Sequence, residues 1–202
     1  MGGATSVRGM TNGGAPSTVR RFEGAEAGEL AAQAAVFEDL QYVLRCCEHL
    51  VTALAPPQPD VAFVEALWTG ALVGYVRCFS GRQAVLTEAD LKELQLDGDV
   101  TEFHEMIKKL RDHYASRHLN PRESFTIGVA QSNDGKPTGV AVVSTPRPLV
   151  DDTTVRLLGR VAYALSGLLD TRIQKTQNDV LGAAGKLSPN DLSSLPVVHL
   201  SG

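Results

Sequence analysis

The chain has 202 residues, 43% hydrophobic and 21% charged, which is enough for one well-buried core and too balanced for a disordered or fibrous protein. Aromatic residues make up only 5%, so the core must be built from Leu, Val, Ala and Ile, which argues against an all-β fold. A net charge of −4 argues against a protein that coats nucleic acid, although a local basic patch can survive inside it; no apolar run reaches the roughly 18 residues that a membrane span needs.

Residues 1–24 are rich in Gly, Ser and Thr and lack apolar periodicity. They read as a disordered tail, neither a secretory signal nor a transit peptide, and a cytoplasmic protein is the expectation. Proline clusters divide the rest, and helices are expected in the proline-free stretches between them. Over 26–54, Leu30, Ala34, Phe37, Leu40, Leu44, Cys47, Val51 and Leu54 recur at three- and four-residue steps, predicting one long helix that Pro56 and Pro57 end. Asp60 can cap a second helix, with Val64, Leu67, Trp68, Ala71, Leu72, Tyr75 and Phe79 on its inner face and Gly81 closing it. Thr87 with Asp90 opens a short third helix. Asp99 with Glu102 caps a fourth over 100–119, which buries Phe103, Ile107, Leu110 and Tyr114 before Pro121 stops it.

Two β-prone runs joined by Asn133-Asp134-Gly135 predict a hairpin within 123–145. Asp151, Asp152 and Thr153 then cap a last long helix to about 176, with Val155, Leu158, Val161, Ala162, Leu165, Leu169 and Ile173 on one side. After Gly182 the pattern fails, and 177–202 are expected to be a mobile tail. The fold class is thus mostly α (α+β): a bundle of four to five helices, spanning 25–176, with one hairpin before the last long helix. Cys46, Cys47 and Cys78 are an odd set, read as reduced core thiols. Cys46, Cys47 and His49 have no second pair at metal-ligand spacing, so neither a metal nor another cofactor is expected.

The fourth helix carries the chemical signal. From His104 to Arg122 there are five Lys or Arg against Glu105 and Asp112, together with three of the five histidines, His104, His113 and His118. Arg111 and His118 are seven positions apart, hence within about 20° of each other on a helix wall. On one face, the guanidinium fork can take two phosphoryl oxygens while the imidazole exchanges a proton near neutral pH. Tyr114 lies beside this strip and His104 extends it. The same helix also reads as a solvated face, in which Glu105 and Lys109 form an i,i+4 pair and Arg117 and His118 suit the helix C-terminus. Both readings stand at this point.

The run Arg111-Asp112-His113-Tyr114-Ala115-Ser116-Arg117-His118, followed by Asn120 and Pro121, resembles the signature of the helical HEPN domains: an Arg, then a polar residue, then a His with four to six residues between the Arg and the His. The resemblance implies a metal-independent endoribonuclease or RNA-binding protein. Arg111 would bind the scissile phosphate and His118 would act as general base on the ribose 2′-hydroxyl, with His104, Lys108, Asp112, Tyr114 and Asn120 as binding residues around them. It also implies a homodimer formed across this helix. The other class of function is a non-catalytic interaction or assembly module, in a defence or toxin–antitoxin system with an antitoxin or other protein partner. No membrane partner is expected.

Overall fold

The computed structural model describes residues 18–80, 84–116 and 120–198. Their elements run α1 (Ala25–Leu54), α2 (Val61–Arg77), α3 (Glu88–Lys92), α4 (Val100–Ala115), β1 (Glu123–Gln131), β2 (Pro137–Pro146), α5 (Asp152–Ala184) and α6 (Pro189–Ser194). The fold is mostly α with one antiparallel hairpin before the last long helix.

Helix starts leave backbone N–H groups without partners, and the polar residues ahead of each apolar stripe take them up. Asp60 accepts from the Phe63 N–H at 3.1 Å, Asp99 from Glu102 at 2.9 Å and Asp151 from Thr154 at 2.8 Å. At α3 the Asp90 carboxylate reaches back to the Thr87 N–H at 2.6 Å. These four starts were legible as cap signatures.

Two compact units divide the described residues: one within 35–169, and one formed by 18–34 with 170–198. In the first, the core is aliphatic. Leu40, Val43 and Leu50 of α1, Val64, Ala71 and Leu72 of α2, Ile107 of α4, and Val155, Leu158, Val161, Ala162, Leu165 and Leu169 of α5 are fully buried. Helices α1 and α2 approach closely because α2 carries glycines one turn apart: a Cβ on Gly70 would lie 2.6 Å from Tyr42 Oη, and one on Gly74 3.1 Å from Val43 Cγ2. On its other side α1 meets α5, where Gly159 faces the Cys47 Cβ. Contact on two sides explains why the buried arc of α1 takes in Val43 and Cys46, which a single stripe omits.

The hairpin pairs Phe125 with Ser144, Ile127 with Val142 and Val129 with Val140, with an irregularity between Ala130 and Gln131. Its turn closes through the Ser132 N–H to the Lys136 carbonyl at 2.9 Å, with Gly135 at φ +83°, a conformation that favours glycine. The strands pair with each other, and every residue of β2 is exposed.

In the other unit, the backbone around Arg20 forms an antiparallel bridge with Val197, and Arg20 also donates to the Leu195 carbonyl at 2.8 Å. Three expectations are corrected. Within 177–198, expected to belong to a mobile tail, α5 runs on to Ala184 and Ser188 caps α6 with Pro189 in its first turn. Residues 19–21 take part in the terminal bridge, while 1–17 lie outside the described residues, as does Gly81. Helix α4 ends at Ala115, Ser116 being extended (φ −70°, ψ 138°), and not near 119. Among the described residues no helix is long and apolar enough to cross a membrane.

Candidate functional site

Helix α4 packs on α2 in antiparallel fashion, so that Tyr75 meets His104 near one end of the seam and Glu65 meets Tyr114 near the other. The buried positions of α4, Val100, Phe103, His104 and Ile107, follow the i, i+3, i+4, i+7 pattern of an inward face. His104 occupies one of those core positions and is 1% exposed. The expectation that it extends a surface strip is therefore corrected.

The His104 Nδ1 lies 3.0 Å from Tyr75 Oη, and its ring packs edge-on against Phe79, with centroids 4.5 Å apart. Burial, aided by the Lys108 charge, pulls the His104 pKa below its ordinary value, against the opposing pull of Glu105 and Glu88. The imidazole is thereby held neutral at neutral pH. Burial also raises the Tyr75 phenol above its ordinary range. Outside this pair, Lys108 Nζ sits 2.7 Å from Glu105 Oε1 and 3.6 Å from Glu88 Oε1. Glu105 therefore pairs with Lys108 at i,i+3, where the sequence suggested Lys109.

At the other end, Glu65 is 6% exposed. Its Oε1 accepts from Tyr114 Oη at 3.3 Å, and its Oε2 lies 3.8 Å from Arg122 Nε. Burial and the Glu65 carboxylate push the Tyr114 phenol up to about 12. Arg111 Nε is 2.8 Å from Asp112 Oδ1, although out of line for a hydrogen bond. Asn120 Oδ1 accepts from the Arg122 and Glu123 N–H groups at 2.9 and 3.3 Å; it shapes the entry to β1.

The expected strip is thus redistributed. Lys108, Arg111 and Arg122 each stand beside a carboxylate, Tyr114 is turned into the seam and Asn120 serves the hairpin. His118 and Arg117 lie outside the described residues. Sequence reasoning missed Glu65 and Glu88. Glu65 had a signal: apart from Arg77 at the end, it is the only charged residue in α2. Glu88 had none, because its relation to His104 is made by the fold and not by spacing.

The thiols offer no nucleophile. Cys46, Cys47 and Cys78 are buried and unpaired, and burial pushes both Cys47 and Cys78 up to about 12, which keeps them protonated. Cys47 also lines an apolar groove of about 700 Å³ with Leu44, Val51, Leu96, Val155 and Tyr163.

The hairpin carries a cluster of exposed apolar side chains. Phe125, Ile127 and Val129 of β1 share a face with Val140 and Val142 of β2 by register, and these five are 53–74% exposed. Between Ser124 and Ala130 and between Thr138 and Thr145 neither strand carries a charge. Compared with family models, curated proteins and solved structures, the chain matches none.

Proposed function

We propose that this chain is a non-catalytic assembly module that associates with a second copy of itself through the apolar face of the β1–β2 ribbon. The observation that carries this reading is the exposure of Phe125, Ile127, Val129, Val140 and Val142 on one face. An isolated two-stranded hairpin is at best marginally stable in water, and soluble monomers rarely leave a contiguous apolar patch above a few hundred Å² uncovered. The five side chains present roughly 500 Å² of apolar surface, more than half of the about 800 Å² per partner in a standard interface.

A second copy is the occupant that fits best. The strands are free of charge along the face, so two ribbons can meet without like-charge repulsion even though each chain carries −4 overall. Among the described residues neither outer strand edge pairs with a third strand, and β1 contains no proline, so a two-fold arrangement satisfies edge groups and apolar face together. The endoribonuclease reading needs Arg111 free beside His118. Asp112 engages Arg111, and no observation favours that reading over assembly.

The test is sedimentation of the full chain and of an Ile127→Lys, Val142→Lys variant, with far-UV circular dichroism to verify that helix content is kept. The wild type is expected to self-associate at micromolar concentrations and the variant to sediment as a monomer. A monomeric wild type, or equal association of a folded variant, overturns the proposal.

A further inference from the structure

Glu88 in the first turn of α3 and His104 and Glu105 on α4 each bring a ligand atom to one place, all within 4.8 Å of one another. The three come from two helices, and what aims them differs. His104 is 1% exposed, and its Nδ1 is held by Tyr75 Oη. That contact leaves Nε2 as the ring nitrogen for a ligand. The cluster already holds a cation, the Lys108 ammonium, at 2.7 Å from Glu105 and 3.6 Å from Glu88.

We propose that Glu88, His104 and Glu105 form a binding site for a divalent transition-metal ion of the Zn²⁺ class, closed in the free chain by Lys108. One imidazole and two carboxylates neutralise a dication and match the three-ligand sites that keep a further position for water. Ligand bonds of about 2.0–2.2 Å require the three donors to draw together by roughly one ångström. Glu88 is exposed and can supply most of that movement.

The Tyr75–His104 contact sets the tautomer. With Tyr75 donating to Nδ1, Nε2 carries the proton and cannot ligate; with Nδ1–H donating to the phenol oxygen, the Nε2 lone pair is free to ligate. Metal entry selects the second form, and Tyr75 then orients the ligand as outer-shell partners of metal-bound histidines do. Lys108, about one-third exposed, swings to solvent and gives its place to the ion.

Isothermal titration of Zn²⁺ into the full chain, with Co²⁺ absorption as a second readout of coordination, tests the site. A single saturable site is expected. Glu88→Gln, an exposed change that leaves the core intact, should weaken binding by roughly tenfold or more, and Lys108→Met should tighten it severalfold by removing the competing charge. A structural salt-bridge cluster would show neither effect. Absence of saturable Zn²⁺ binding, or binding that both variants leave unchanged, overturns the proposal.

Discussion

Glu65 and Asp112 are both carboxylates beside arginines, yet burial separates their energetics. Asp112 is exposed, and its contact with Arg111 belongs to the class of surface pairs worth less than about 1 kcal/mol. Glu65 is buried, and Tyr114 is its one hydrogen-bond donor among the described residues. Tyr114→Phe should therefore destabilise the fold by about 1–3 kcal/mol, because it leaves a buried carboxylate oxygen without its donor, while Asp112→Ala should change it by less than about 1 kcal/mol. Urea unfolding midpoints check both; equal midpoints for the two variants would mean that the seam contributes no more than the surface pair. At this scale the sequence was partly legible. The inward arc through Val100, Phe103 and Ile107 contains position 104, so the burial of His104 could be read from periodicity, but the density of charge around it favoured a surface reading. The pairing of Arg111 with His118 assumed a helix to 119, whereas α4 ends at Ala115; His118 lies outside the described residues.

Caps make the element scale the most legible. Asp60, Thr87 with Asp90, Asp99 and Asp151 all stand where the backbone needs an acceptor. Hydrogen bonds from the Thr154 hydroxyl first, and then from its backbone N–H, hold the Asp151 carboxyl below the ordinary carboxylate range. A depressed pKa in the folded chain stabilises above the unfolded value, and that contribution fades as pH falls from about 4. Asp151→Ala is thus expected to cost about 1 kcal/mol at neutral pH, with a smaller difference from wild type near pH 3. Thermal melts at the two pH values test this; a difference that grows on acidification would contradict the sign. The C-terminal end of α5 was not legible. Beyond Ile173 its apolar residues thin out, and Leu181 is 64% exposed, so the helix continues there without the stripe on which the sequence argument relied.

For the whole molecule, two β-prone runs joined by Asn133-Asp134-Gly135 announced a hairpin. What its apolar face meets is not written in those runs, since the same residues serve a strand packed on a helix and a strand packed on another chain. In this fold the helices bury their stripes on one another and leave the ribbon free, and from that the account of assembly follows. Amide hydrogen exchange measured across a dilution series tests it most directly, because it reports where association occurs as well as whether it does. The account predicts that amides of Glu123–Gln131 and Pro137–Pro146 gain protection as concentration rises through the association range, while the buried stretches of α2 and α5 remain equally protected throughout. Hairpin amides that exchange at the same rate at every concentration, with concentration-dependent protection elsewhere or nowhere, would contradict it.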